Sequence, residues 1–452
     1  MHLAELLKAS GVIGGGGAGF PTYAKLTQKA EYVLLNAAEC EPLIRVDQQL
    51  IERFPSEVLA GLEAVRECVG AKKAIVGIKE KHAGAIGLLK ETIGALGLDN
   101  AIQVKTIADV YPAGDEQVLV YELVGRVVPE AKIPLSVGCV VINVETARNV
   151  HGAINGLPVT EKFLTLAGDI NSPITVKVPV GTPVMELLNL TGIEDFSQHA
   201  VIDGGPMMGT VLPALNGCIS KKTKALILLK NESLLTRKKR VTYAQAKRVN
   251  RSACEQCRMC TDLCPRYLLG HDCQPHKTMR MVGYNIEDLE EQKKSQMCCL
   301  CNLCELFSCP AGLYPQTANR SFREETLGQG MRYTPDKTDF EARAIRAHRL
   351  LPSKRLVYRL GLARYDKPAP LTEVAVNPKY VRVFTNQHVG VPAQPVVGVG
   401  ETVCKGQLIG SIPGKALGAA IHASIDGRVS QVTRDYIEIT RGDACAPDNR
   451  DA

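Results

Sequence analysis

Two cysteine runs confine what the middle of this chain can fold into. Cys254-x2-Cys257-x2-Cys260-x3-Cys264-Pro265 is followed by Cys298-x2-Cys301-x2-Cys304-x4-Cys309-Pro310. The first has the spacing by which thiolates hold 4Fe–4S clusters, three cysteines at three-residue intervals aiming at three corners of one cube. Where two clusters lie together, the fourth cysteine, before proline, serves the other cube. That rule assigns Cys254, Cys257, Cys260 and Cys309 to one cluster, and Cys298, Cys301, Cys304 and Cys264 to the second. The second run has x4 where x3 is usual, which bears on Cys309. Cys273 and Cys299 are expected to be spare thiols. Zinc sites also use Cys-x2-Cys pairs, but they separate the pairs by a loop. Here three cysteines recur without a gap, twice.

A chain of 452 residues exceeds one core, so roughly two to four domains are expected. Trp is absent and aromatic residues make up 5%, which leaves little for base stacking, and no nucleic-acid partner is expected. The net charge of +7 gathers partly in Arg237–Arg240 and Arg343–Arg364, which read as solvated helix faces or as surfaces for an acidic partner. Eight of the sixteen cysteines fall in the two runs, where clusters need free thiolates, so a reducing interior is expected. Met1–Ser10 reads as a short amphipathic helix with no long apolar core behind it, so no signal peptide is expected. No apolar run reaches the ~20 residues of a membrane span, and the expected location is cytoplasmic.

Gly11 to Lys25 is glycine-rich, and backbone amides without a Cβ come close to a phosphate. A helix begun at Thr22–Lys29 would add its positive end, and Lys25 a full charge. Strands are predicted at Tyr32–Asn36, Lys73–Lys79 and Gln103–Ile107, and helices at Val58–Val69, His82–Leu96 and Val118–Gly125. Alternating strand and helix predict a parallel α/β sheet, with polar residues at strand C-termini where such folds bind ligands.

In the order Gly-Gly-Ala-Gly-Phe-Pro-Thr-x-x-Lys, Asn36-Ala-Ala-Glu39-Cys-Glu41-Pro, Pro112-x-Gly-Asp115-Glu116 and Asn143-Val-Glu-Thr146, four blocks resemble the FMN and NADH site of the complex I flavin subunit and of RnfC-like proteins. The resemblance implies that Gly14, Gly16, Gly17, Lys25, Asn36, Glu39, Asn143 and Thr146 hold FMN. It places Glu41, Asp115 and Glu116 near flavin or nicotinamide ribose, with NADH as electron donor. No catalytic residue is assigned.

Expected domains are 1–155, an FMN/NADH-binding α/β domain; 156–230, resembling the family's β-grasp (SLBB-like) insert; 245–330, a ferredoxin-like, largely helical domain with two 4Fe–4S clusters; 331–378, a connector; and 379–445, an all-β module resembling the barrel-sandwich fold of biotinyl and lipoyl carriers. The fold class is thus multidomain α/β. Gly204–Gly209 reads as a tight structural turn, and His276–Glu290 as a helix. His271 and His276, near the first run, read as solvent-facing loop residues. Lys415, at a hairpin tip without a Met-Lys-Met setting, reads as unmodified.

The C-terminal place of the last module resembles the PduS-type cobalamin reductases of propanediol-utilising microcompartments. That resemblance implies electrons passing from NADH through FMN and two clusters to a corrinoid, from cob(III)alamin through cob(II)alamin to cob(I)alamin, for adenosylcobalamin regeneration in 1,2-propanediol degradation. It also implies a cob(I)alamin adenosyltransferase and microcompartment shell or lumen proteins as partners, and a place inside the microcompartment. No Asp-x-His-x-x-Gly corrinoid motif occurs, so the corrinoid would be met transiently. Two other readings stand: an RnfC-like subunit of a membrane-associated ion-translocating complex, and a non-enzymatic ferredoxin-like wiring module.

Overall fold

The computed structural model describes residues 2–442, so Met1 and the last three residues of the 379–445 module lie outside it. In the N-terminal domain four parallel strands lie in the order Ile102–Ile107, Lys73–Lys79, Tyr32–Ala37, Cys139–Asn143. Their apolar runs point side chains to both faces, as strands covered on both sides must. Val33 and Leu35 pack with the helices Pro55–Cys68 and Val144–Ile154. Leu34 packs instead with Leu119, Val120 and Leu123 of the Glu116–Val124 helix. The first two helices cross so closely that a Cβ on Gly61 would stand 1.8 Å from the Ala147 carbonyl oxygen.

The chain leaves Tyr32–Ala37 for Lys73–Lys79 on one side and returns on the other as Cys139–Asn143, pairing Asn36 with Asn143. The crevice between those two strand ends is a topological switch point, the place where open α/β sheets bind ligands.

Two expected helices differ. Thr22–Lys29 is only a 3₁₀ turn at Thr22–Leu26, because the chain must turn back within a few residues to enter the Tyr32–Ala37 strand. His276–Glu290 splits into Pro275–Tyr284 and Leu289–Lys293. Asn285 ends the first in a left-handed conformation, φ 53°, and Asp288 caps the second by accepting from Glu291 N.

Residues 161–230 supply five strands of a six-stranded sheet, ordered Leu371–Thr372, Ile174–Pro179, Glu161–Gly168, Ala225–Lys230, His199–Asp203, Thr210–Val211. Alternate side chains go to different cores. Leu164, Leu166, Leu226 and Leu228 pack with Leu187 and Leu188 of the Val184–Leu188 helix. Phe163, Ala167, Ile227 and Leu229 join the core of the N-terminal domain. The sheet is therefore fused to its neighbour along one face.

Helices Tyr243–Ala253, Pro275–Tyr284 and Pro315–Gly328 frame the cysteine loops. The first opens with a capping box, Thr242 and Gln245 each bonding the other's backbone. Segment 331–378 is stitched into its neighbours, with Leu351–Pro352 pairing with Val110–Tyr111 and Leu371–Thr372 with Thr175–Val176.

The C-terminal module has two small antiparallel sheets around its own core of Val381, Val383, Ile409, Ile421, Ile437 and Ile439. It abuts the glycine loop: Val389 N donates to Gly19 O at 3.1 Å and Gly418 N to Tyr23 Oη at 3.4 Å. Lys221 is buried at this junction and donates to Gly11 O at 2.8 Å and Ala420 O at 3.1 Å. Burial pulls its ammonium down to about 7 from an ordinary 10.5. Between those values the folded chain binds fewer protons than the unfolded one, so stability rises with pH across that window. Thermal melts from pH 7 to 9 should show this rise, and Lys221→Met should flatten it.

Candidate flavin crevice and thiol sites

Over the crevice the glycine loop is pinned by Gly14 N donating to Phe20 O at 2.9 Å and Gly15 N to Thr146 Oγ1 at 2.9 Å. It faces the first turn of the Val144–Ile154 helix, whose cap is Asn143 Oδ1 accepting from Glu145 N at 3.0 Å. An open glycine loop against a helix N-terminus suits an anionic group. Gly16 has φ 74°, and a Cβ there would stand 2.8 Å from Lys224 Cδ, so glycine is needed on both counts.

Below the loop lies a buried charge network. Asn143 Nδ2 donates to Asp47 Oδ2 at 2.9 Å, the Lys224 ammonium pairs with the same carboxylate, and it lies 3.5 Å from Glu39 Oε1. Glu145 and Lys162 form a second buried pair. Burial, reinforced by Asp47, raises the Glu39 carboxyl. Burial alone would lower Lys224, but Asp47 and Glu39 outweigh it and hold the ammonium above its ordinary value. Asp47 Oδ1 is buried without a hydrogen-bond partner among the described residues. Such an atom calls for a donor, and a flavin bearing ring N–H and ribityl hydroxyls fits that need. Sequence patterning points to neither Asp47 nor Lys224. They are 177 residues apart, and Asp47 stands in an ordinary amphipathic helix, Val46–Arg53.

Lys25 Nζ donates to Val141 O and to Glu116 Oε1, both at 2.9 Å. Asn36 Nδ2 donates to Gly114 O at 2.8 Å. The structure thus gathers Gly14, Gly16, Gly17, Lys25, Asn36, Glu39, Asn143 and Thr146 at the crevice, with Glu116 reached through Lys25. Glu41 and Asp115, expected near flavin or nicotinamide ribose, also make bonds within the protein. Glu41 accepts from Met207 N at 2.8 Å and Met208 N at 2.7 Å. Asp115 caps the Glu116–Val124 helix and accepts from Arg266 Nη1 and Nη2, at 2.6 and 2.9 Å.

The two cysteine runs share one backbone shape. Gln256 and Arg258 in the first run, and Leu300 and Asn302 in the second, all have φ between 56° and 65°. Four non-glycine residues held in this region at matching positions mark loops shaped by function rather than by local preference. Burial pushes the Cys260 thiol up to about 12, and Cys309, Cys257 and Cys254 act on it next. Cys298, also up to about 12 through burial, is acted on by Cys299 and Cys264. A small cavity is lined by Cys264, Cys298, Cys299, Cys301 and Cys304. The fourth cysteine of each run therefore lies with the other run. Thiols that ring a cavity suit a cube. Cys299 lines the cavity, and Cys273 lies 4.0 Å from Cys264.

Crevice and cavity adjoin. Tyr111 Oη donates to Cys301 O at 2.6 Å, and Asn302 Nδ2 to Met207 O at 3.2 Å. Lys239 Nζ also donates to Met207 O, at 3.0 Å. The Gly204–Gly209 turn is thus a wedge held by Glu41, Lys239 and Asn302. Lys238 donates to Gly312 O at 2.9 Å, so half of the basic run Arg237–Arg240 serves internal contacts. His271 and His276 are buried, not solvent-facing. His271 Nε2 bonds Val128 O of the N-terminal domain at 2.9 Å, and His276 Nδ1 bonds Thr261 Oγ1 at 2.8 Å, bracing the first cysteine loop.

Residues 7–152 match the family described as Nuo51 FMN-binding domain, 253–314 the 4Fe-4S dicluster domain, and 365–446 the RnfC barrel sandwich hybrid domain. The cobalamin reductase PduS of Salmonella typhimurium is 38% identical over 98% of this chain and 97% of its own. That of Citrobacter freundii is 38% identical over 97% and 96%. One subunit of the Na+-translocating ferredoxin:NAD+ oxidoreductase complex of Acetobacterium woodii is 32% identical over 59% of this chain and 58% of its own. Among solved structures, an NAD+-reducing [NiFe]-hydrogenase in the air-oxidized state aligns at TM-score 0.48 and 19% identity, over 81% of this chain and 67% of that one. Among the described residues no helix is long and apolar enough to cross a membrane. The protein is a multidomain α/β oxidoreductase with FMN and 4Fe–4S clusters as cofactors. The chain belongs to the family of the cobalamin reductase PduS.

Proposed function

We propose that this protein takes electrons from NADH and delivers them to a corrinoid, reducing cob(III)alamin to cob(II)alamin and then cob(I)alamin for adenosylcobalamin regeneration. FMN, when bound, accepts a hydride's two electrons and the 4Fe–4S clusters carry them one at a time. Gly14, Gly16, Gly17, Lys25, Asn36, Glu39, Asn143 and Thr146 would hold the flavin, with Asp47 and Lys224 beneath it. Cys254, Cys257, Cys260 and Cys309 would hold one cluster, and Cys264, Cys298, Cys301 and Cys304 the other. Glu41, Asp115 and Glu116 would lie near flavin or nicotinamide ribose, Glu41 and Asp115 being held in place by Met207, Met208 and Arg266.

The observation that carries this reading is the bond from Tyr111 Oη to Cys301 O. It ties the loop at the crevice directly to the backbone of a cysteine run, so electron source and carrier share one rigid seam. The domain limits 1–155, 156–230, 245–330, 331–378 and 379–445, and the β-grasp character of the second unit, belong to the same reading. So do an adenosyltransferase that consumes cob(I)alamin, shell or lumen proteins as neighbours, and residence in a microcompartment.

The test is anaerobic NADH oxidation with cob(II)alamin, with and without adenosyltransferase. Corrinoid-dependent oxidation is expected, faster when the product is consumed. Oxidation with artificial dyes but never with a corrinoid would overturn the reading.

A further inference from the structure

The two thiol sets differ in how they meet solvent. Cys264, Cys298, Cys301 and Cys304 are buried, and this set is sealed by Tyr111, Arg266 and Asn302. In the other set Cys257 is exposed, and Cys254 and Cys309 are partly so. A partner in solution can approach only that set.

The surface around Cys257 is basic. The Tyr243–Ala253 helix ends at Cys254, and its flank forms a shallow depression lined by Ala244, Lys247, Arg248, Arg251 and Ser252. Arg258 follows Cys257 directly and is exposed, and exposed Arg280 stands on the Pro275–Tyr284 helix, which His276 ties to Thr261 beside Cys260. Exposed Glu255 and half-buried Asp262 are the acids of this stretch, and Asp262 lies 3.8 Å from Arg258. Unlike Lys238 and Lys239, whose ammonium groups are engaged by internal carbonyls, Arg248 and Arg251 are exposed. Concentrated charge of one sign beside a redox centre steers and orients a partner of opposite sign.

We propose that the basic face formed by Lys247, Arg248, Arg251, Arg258 and Arg280 around Cys257 is the docking surface for a one-electron acceptor protein that presents an acidic patch. This rests on the proposed assignment of Cys254, Cys257, Cys260 and Cys309 to one cluster. Each encounter oxidises this protein by one electron and reduces the partner by one, with no bond made or broken. For a corrinoid bound on a partner, the face supplies the dock that the chain's lack of a corrinoid motif leaves open.

The test uses the cluster-loaded holoprotein and, as probe, an acidic plant-type 2Fe–2S ferredoxin, with affinity measured by titration at low and high salt. The triple variant K247E/R248E/R251E should bind at least about tenfold more weakly at low salt, with its salt dependence flattened. K247Q/R248Q/R251Q should fall between. Unchanged iron and sulfide content shows that both variants fold. Equal affinity for all three proteins, or binding indifferent to salt, overturns the proposal. So does salt-sensitive self-association lost in the same variants, which would assign the face to a second copy. Failure of the NADH–corrinoid assay would sink the functional reading alone, since the titration needs neither substrate.

Discussion

Cys264→Ser should empty the cluster site of the run it does not belong to. Cys264 lines one cavity with Cys298, Cys301 and Cys304, while Cys309 acts on Cys260. The variant should therefore lose about half its iron and sulfide, and the surviving paramagnetic signal should be the one that Cys257→Ser removes. NADH-driven corrinoid reduction should fall by about 10–100-fold, as expected when a group that positions a cofactor is lost. Reduction of a neutral quinone at the flavin should survive. Cys273, 4.0 Å away, is close enough to step in as a ligand, so the double variant with Cys273→Ser is the stricter form. If Cys264→Ser instead erases the signal that depends on Cys257, the crossed assignment is wrong. Iron analysis and electron paramagnetic resonance decide it.

Lys224→Ala should be the most damaging single change in the crevice. It leaves Asp47 and Glu39 buried as neighbouring carboxylates without their cation. Removing one partner of a buried pair typically costs about 3–5 kcal/mol, a large share of a domain's ~5–15 kcal/mol. A carboxyl raised above its unfolded value contributes stability at low pH and loses it as pH rises through the folded value. Glu39 is already raised by burial, and losing Lys224 raises it further. The deficit of the variant against the parent should thus be larger at pH 8 than at pH 5, and its flavin content lower. Thermal melts at the two pH values, with flavin released on denaturation, measure both. A deficit independent of pH would show that Lys224 acts by packing alone.

Much of the fold and of the thiol sites can be read from the chain because the signals are local. Lys73–Lys79 is delimited by its apolar run, and the cysteine spacing alone pairs each fourth thiol with the opposite run. The gaps have a common cause. The bonds of Glu41 and Asp115 to Met207, Met208 and Arg266 have no local signal, because those partners lie more than a hundred residues away. His271 looks like a loop residue because Phe340 and Val128, which cover it, lie far along the chain. Asp47 and Lys224 meet only because the second sheet is pressed onto the first domain.

That pressed sheet has a consequence for how the protein can be cut and inherited. Along Glu161–Gly168, neighbouring side chains answer to two separate interiors, so neither unit keeps a complete interior if the other is deleted. A fragment ending near residue 155 would bare Phe163's partners to water and aggregate. Hydrogen exchange should report the first 230 residues opening as a single cooperative block, and recombination should pass them on together rather than as interchangeable parts.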